Sequence, residues 1–259
     1  MGKAPGKKPK TGLSTVRRFE AAGFRAWPAS AVHYDGTWVV RLTAGHPAKR
    51  LNSVNPLDPG DSRDMEARIE RAARRFDEFG RPLVFRISPL GEGAVSAHLD
   101  SHGWGRFSES IVMRARLADL PLEREMSQIP LKDVARFTKA ALAVHGLDDG
   151  ARAGLAETIG AIEPEVWLFA IEQQNEPVAT AICVHDGDLA GLFEIAVSAA
   201  AQGRGHGRRI VVSALKWARM RGASLAWLQV EADNARAISL YRSLGFHDAY
   251  RYHYRAPPK

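Results

Sequence analysis

Gln202-Gly203-Arg204-Gly205-His206-Gly207-Arg208-Arg209 is the stretch that decides how the rest of this chain is read. It follows an apolar run, Leu192-Phe193-Glu194-Ile195-Ala196-Val197, with the character of a strand. It precedes residues 210–221, where Val211, Ala214, Leu215 and Ala218 fall at i, i+3, i+4 and i+7, the stripe of an amphipathic helix. Arg208, Arg209, Lys216 and Arg219 lie largely off that stripe. The order is strand, glycine-rich turn, helix. Glycines at alternate positions keep side chains off the backbone. The unclaimed N–H groups of the helix start point into the turn, at the positive end of the helix dipole. Such a turn suits an anion, phosphate or pyrophosphate above all. Two other phosphate loops are excluded by spacing. A P-loop ends in Gly-Lys-Ser/Thr, and here Gly207 is followed by two arginines. A dinucleotide fingerprint needs its third glycine three positions after the second, and position 208 is Arg. On this stretch alone, a plain glycine turn joining strand to helix would read the same.

Residues 225–246 separate those readings. Leu225-Ala226-Trp227-Leu228-Gln229-Val230 predicts a buried strand, and Asp233 or Asn234 is placed to cap a helix. That helix carries Ala237, Leu240, Tyr241 and Leu244 on one face, Gly245 closes it, and Phe246 opens a further strand. With both stretches in view, the sequence resembles the GCN5-related N-acetyltransferase (GNAT) superfamily. The family's Gln/Arg-x-x-Gly-x-Gly/Ala signature is matched by Gln202, Gly205 and Gly207. Its Asn-x-x-Ala-x-x-Leu-Tyr-x-x-x-Gly-Phe signature is matched by Asn234, Ala237, Leu240, Tyr241, Gly245 and Phe246. The match covers roughly residues 190–250; residues 119–190 are compatible but carry no motif.

The first half of the chain repeats the second. Setting Gly103-Trp104 on Gly245-Phe246 shifts the chain by 142 residues. At that shift Leu83 to Ser88 falls on Leu225 to Val230, Gly80 on Gly222, and residues 62–79 on residues 204–221 without a gap. The first copy lacks the motif: Gly60, Arg63 and Met65 stand at the places of Gln202, Gly205 and Gly207, Leu99 at that of Tyr241 and Glu92 at that of Asn234. The expected organisation is a disordered basic tail over 1–12, a degenerate GNAT-like domain over 13–118, and a catalytic domain over 119–259, with Leu120-Pro121-Leu122 as linker. The fold class is α/β (α+β): two tandem units, each a mixed, mostly antiparallel sheet flanked by helices. In the first unit, residues 14–22, 61–79 and 94–101 are expected as helices and 37–42, 83–87 and 107–117 as strands. In the second, helices over 131–145 and 151–162 precede a hairpin around Gln174-Asn175-Glu176. Tyr250, Tyr252 and Tyr254 alternate on the last strand and line one packed face.

The resemblance implies an acetyl-CoA-dependent N-acetyltransferase acting by direct attack in a ternary complex. The alternative is an inactive CoA-binding regulatory or scaffolding protein. It implies that Gln202, Gly203, Arg204, Gly205, His206, Gly207 and Arg208 cradle the pyrophosphate of acetyl-CoA, with Asn234 also touching it. The pantetheine arm would lie between the strands ending near Val197 and Val230, beside Ala196, and a backbone N–H near Val197 would polarise the thioester carbonyl. Tyr241 would protonate the leaving sulfur, since a phenol of pKa about 10 stays protonated at neutral pH. Glu194 and Glu231 are the candidates for the base that takes the amine's proton.

Apolar residues make up 45% and charged residues 25%, the composition of a globular domain. The single cysteine, Cys183, excludes an internal disulfide and sits in an apolar strand-like run, as inert packing in a reducing, cytoplasmic setting. Of the formal charge of +7, Lys3, Lys7, Lys8 and Lys10 in the first residues supply four, so the body carries only +3 and argues against a nucleic-acid surface. No apolar run is long enough to span a membrane, and the nine histidines show no metal spacing. The acceptor is expected to be a small-molecule or peptide amine, and the two copies to pack as a pseudo-dimer within a monomer.

Overall fold

The computed structural model describes residues 11–122 and 128–258. The expected basic tail lies, apart from Thr11 and Gly12, outside the described residues. The first half runs α1 (Leu13–Ala26), β1 (Ala31–Asp35), β2 (Trp38–Leu42), β3 (Ser53–Pro56), α2 (Met65–Glu78), β4 (Phe85–Ile87), α3 (Ala94–Ser101) and β5 (Gly105–Arg116). The second runs α4 (Val134–His145), α5 (Arg152–Gly160), β6 (Glu165–Gln173), β7 (Glu176–Asp186), β8 (Leu189–Val197), α6 (His206–Met220), β9 (Leu225–Glu231), α7 (Ala235–Ser243) and β10 (His247–Ala256).

The two halves do not carry separate sheets. All ten strands form one, in the order β1-β2-β3-β4-β10-β5-β9-β8-β7-β6. The order is symmetric about the antiparallel β10–β5 pair: β3–β4 and β8–β9 are parallel, and every other neighbouring pair is antiparallel. Each half has given its last strand to the other. β10 lies between β4 and β5, and β5 lies between β10 and β9.

The 142-residue repeat survives in local geometry. α2 closes with Arg81 N–H donating to Phe76 O, and α6 with Ala223 N–H donating to Ala218 O. α3 closes with Trp104 N–H to Leu99 O, and α7 with Phe246 N–H to Tyr241 O. Both pairs are related by that shift, and all four closures pass through a glycine of positive φ, at Gly80, Gly222, Gly103 and Gly245.

Several elements differ from expectation. β1 and β3 were not foreseen: β1 is an edge strand whose outward positions are exposed, and β3, although wholly buried, is only four residues long. The α2 helix begins at Met65 rather than at position 61, because Asp61 is turned inward to accept from the Thr37 N–H and hydroxyl. Leu120 and Leu122 are not a free linker. They are 5% and 0% exposed and join the core formed with α6, α7 and Phe246. The β6–β7 hairpin turns at Gln174 and Asn175, both in the left-handed region that a two-residue turn requires.

The tyrosine row of β10 faces α1, and it holds a buried ion pair. Glu20 of α1 accepts from both terminal guanidinium nitrogens of Arg86 on β4, the Tyr250 hydroxyl donates to Glu20 at 2.7 Å, and the Arg86 guanidinium lies 3.7 Å from the centre of the Tyr252 ring. Glu20 and Arg86 are 3% and 4% exposed. Helix α1 also crosses to the second half: Trp27 stacks on Phe193 of β8 at 5.5 Å, and Arg18 and Arg25 pair with Asp188 and Asp186. Removing one member of a buried pair strands the other charge. Glu20→Ala is therefore expected to cost about 3–5 kcal/mol in urea unfolding, in a single transition for the whole chain. Two separate transitions, or a loss below about 1 kcal/mol, would contradict the shared-sheet account.

Candidate functional site

Strands β8 and β9 pair only from Leu189↔Leu225 to Leu192↔Leu228, and then part. The cause lies on the other edge of β8. Its register with β7 slips between Ile182↔Phe193 and Thr180↔Ala196, so that Glu194 and Ile195 stand opposite Ala181 alone. This is a β-bulge, with Glu194 at φ 46°. Beyond it, Ser198 N–H donates to Val178 O. Backbone groups alternate between the two edges of a strand, so the Val197 N–H and C=O point away from β7, into the gap that β9 has left. The Gln202 side chain donates to that Val197 carbonyl at 3.4 Å.

The glycine turn follows directly. Gly203 and Gly205 have φ of +79° and +82°, and a Cβ at Gly205 would meet nothing within 4 Å. The backbone conformation, rather than crowding by protein, is what demands glycine there. Gly207 differs: its φ is helical, and a Cβ would touch Leu240 at 3.4 Å and Val197 at 3.5 Å, so it lets α6 approach α7 and β8. Gly205 caps α6 without a side chain to offer, and the first intrahelical bond is Arg209 N–H to Gly205 O. The N–H groups of His206 and Gly207, in the first turn, are thus unclaimed by the helix.

These groups border a cleft of about 650 Å³. Ala196, Val197, Gln202, Gly203, Gly205, His206, Gly207, Arg208, Asn234 and Tyr241 all line it; Arg204 does not. Asn234 caps α7, its Oδ1 accepting from Ala237 N–H at 3.0 Å. Gln202 accepts from Arg236 of α7, which ties the turn to that helix. His206 is 6% exposed, with its Nε2 unpartnered among the described residues. Tyr241 is 5% exposed, and burial pushes its phenol up to about 12. It remains a proton donor across the physiological range. Cys183 is fully buried, and burial drives its thiol well above the usual range.

Neither carboxylate singled out from sequence lines this cleft. Glu194, thrown sideways by the bulge, has its Oε2 3.4 Å from His145 Nε2 and its Oε1 3.9 Å from Arg50. Glu231 ends β9, is exposed, and borders a second, smaller cleft. His145, the last residue of α4, does line the main cleft. Sequence reasoning missed it because its partner lies 49 positions away in the chain and reaches it only through the bulge. An imidazole held by a carboxylate is better matched to proton transfer at neutral pH than a carboxylate beside an arginine.

Comparison with known proteins gives the family and the fold. A family model described as "Probable histone acetyltransferase Rv0428c C-terminal" matches residues 13–255. The chain belongs to that family, and so to the GNAT N-acetyltransferases. It is 25% identical to the "Uncharacterized N-acetyltransferase YobR" of Bacillus subtilis over 94% of this chain and 99% of that one. Its match to the "[Ribosomal protein bS18]-alanine N-acetyltransferase" of Escherichia coli is 41% identical but covers only 31% of this chain and 55% of that enzyme. Among solved structures, a "GCN5-related N-acetyltransferase from Kribbella flavida" superposes with a TM-score of 0.69 at 19% identity, covering 93% of this chain and 95% of that one. A "Tandem GNAT protein from the clavulanic acid biosynthesis pathway" does so with 0.65 at 14%, covering 93% and 88%. The fold is thus two tandem GNAT-like units sharing one sheet.

The first unit carries a buried ion pair near the start of the helix that the 142-residue shift relates to α6. Asp61 and Arg68, 8% and 4% exposed, pair at 3.1 Å near the start of α2, and the Arg68 guanidinium lies 3.9 Å from the centre of the Trp38 ring. Asp64, in the left-handed region, holds the N-cap position without a side-chain bond to the helix, and Glu66 occupies the first turn. Burial alone would raise the Asp61 pKa; the Thr37 N–H and hydroxyl and the Arg68 charge outweigh it and hold the carboxyl at about 2. A depressed carboxylate stabilises the fold above its unfolded pKa and loses that contribution as pH falls. Asp61→Asn is expected to cost on the order of 2 kcal/mol at pH 7. The gap from the parent protein should narrow below about pH 4 and close near pH 2. A gap that does not change with pH in urea unfolding would remove Asp61 from this role.

Proposed function

We propose that the chain transfers the acetyl group of acetyl-CoA to an amine by direct attack within a ternary complex, using residues 119–259 as the catalytic unit and residues 13–118 as a degenerate copy. One observation carries this reading: the uncapped N–H groups of α6, the Val197 N–H and the buried Tyr241 phenol meet in one cleft. The residues fit the donor. Open space at Gly205 lets a pyrophosphate reach the N–H groups of His206 and Gly207, where the helix dipole favours negative charge. The gap between β8 and β9 suits an extended arm, which would complete the interrupted ladder at the inward-facing groups of Val197.

In this scheme the Val197 N–H donates to the thioester carbonyl oxygen, where negative charge develops during attack. The amine nitrogen forms the new C–N bond as the C–S bond breaks. The amine's proton passes to His145, held by Glu194, directly or through one water. Tyr241 gives its proton to the departing sulfur and recovers one from solvent. Glu231 is kept for the acceptor side. The acceptor is a small-molecule or peptide amine; the names of the relatives point to protein amines, a histone in one case and the alanine of bS18 in the other. The single, buried Cys183 suits a reducing compartment such as the cytoplasm.

Two substitutions test the reading. Gly205→Glu places a carboxylate among the cradle N–H groups and a side chain at φ +82°. Calorimetry should find CoA affinity lost by at least about a hundredfold, with the far-ultraviolet spectrum preserved; near-normal affinity would sink the cradle. Tyr241→Phe removes only the hydroxyl. Turnover is expected to fall by about 10²–10⁴ in kcat with little change in acetyl-CoA affinity. A kcat within a factor of about three of the parent would make Tyr241 a packing residue.

A further inference from the structure

The second cleft, of about 250 Å³, lies where the two units interlock. Its volume is below the roughly 300–1,000 Å³ of sites for drug-sized ligands. Lys49 and Arg50, in the short helical turn Lys49–Leu51 of the first unit, form one wall. Ser110 of β5, Tyr254 of β10 and Glu231 of β9 contribute to the others.

The charges in this cleft are not matched to one another. The half-buried Lys49 has its ammonium 5.6 Å from the centre of the Tyr254 ring and 5.9 Å from that of Phe107. Among the described residues no carboxylate pairs with it, and no cation pairs with Glu231. The strand register keeps the two apart. Glu231 stands opposite Ser110, while Tyr254 stands opposite Phe107, three positions along β5. At about 3.3 Å per residue the two ends of the cleft are about 10 Å apart. The carboxylate end borders the gap between β9 and β8, since β9 is unpaired with β8 beyond Leu228. The main cleft is reached through one residue: Glu194 is 3.9 Å from Arg50, which lines the second cleft, and 3.4 Å from His145, which lines the first.

Resting on the proposed acetyl transfer, we propose that this second cleft holds the acceptor, and that the acceptor is a small amine bearing an acidic group, a carboxylate or a phosphate. Glu231 receives the ammonium at the end next to the β8–β9 gap. Lys49 receives the acid at the far end. The two ends cannot satisfy each other across the cleft, so a dipolar ligand completes both. A protein lysine or an uncharged amine would leave Lys49 unmatched. On this account the first unit, which lacks a cofactor cradle of its own, supplies the group that selects the acceptor.

The test uses the full chain loaded with CoA. A series of ω-amino carboxylates from glycine to 6-aminohexanoate, each beside its amide, together with phosphoethanolamine, is titrated by calorimetry and assayed with acetyl-CoA for thiol release. At least one acid should bind, and react with a kcat/KM, at least about tenfold better than its uncharged counterpart. The phosphate arm tells which acid is preferred. Lys49→Glu should remove that preference and Lys49→Arg retain it, with CoA affinity within about twofold of the parent in both. The inference is overturned if amides match acids throughout, if no acid binds, or if Lys49→Glu leaves the preference intact. Acetylation of a histone-tail or alanine-terminated peptide under those outcomes would leave the proposed function standing; absence of CoA binding in the parent protein would remove both.

Discussion

The site depends on one interruption. Strands β8 and β9 run parallel and paired as far as Leu192 and Leu228, and no further. The bulge at Glu194 turns the end of β8 while its other edge stays bonded to β7. Without that bulge the ladder would continue, the Val197 N–H would be spent on β9, and the cleft would be closed by ordinary sheet pairing. With it, three things follow from the same few residues. A backbone donor faces open space, the glycine turn is set beside the gap, and the Glu194 side chain is delivered to His145. The positive φ of Glu194 costs of order 1–3 kcal/mol, and the buried ladders on both sides hold it in place.

The second constraint is the exchange of β5 and β10. It makes each unit's sheet incomplete without the other's last strand. The buried Glu20–Arg86–Tyr250 cluster draws one residue each from α1, β4 and β10, and so pins the exchanged strand to the first unit. The same exchange puts Ser110 and Tyr252 beside the tip of β9, and Tyr254 farther along the same cleft, which Lys49 and Arg50 also line. The first unit, with its Asp61–Arg68 pair near the start of α2, therefore borders the second unit through Lys49 and Arg50.

Much of this was legible in the chain. The glycine turn before α6, the Asn234 cap, the inward face of α7 with Tyr241 and the 142-residue repeat could be read because they rest on local chemistry: glycine where φ is positive, a capping side chain, helical spacing, and glycines that close two pairs of helices alike. What could not be read was non-local. The strand exchange leaves no mark in the residues of β5 or β10, which suit a buried central strand in either unit. The bulge is a register slip between β7 and β8, and no residue type announces it, since Glu194 looks like one more position in an alternating strand. The sequence near the motif offers carboxylates as a base, while His145, which lines the cleft, closes a helix far upstream. Leu120-Pro121-Leu122 read as a linker for the same reason, because its burial comes from packing under α7 and Gly245 rather than from its own pattern.

The central claim is that the parted strands and the α6 start of the second unit form the acetyl-CoA site, while the equivalent place in the first unit does not. Amide hydrogen exchange on the full chain, with and without saturating CoA, tests it most directly. The account predicts slowed exchange at Val197 and at the amides of residues 203–208, and unchanged exchange at residues 61–67 around the start of α2. Protection at the α2 start, or CoA binding that leaves Val197 and the glycine turn unprotected, would contradict it.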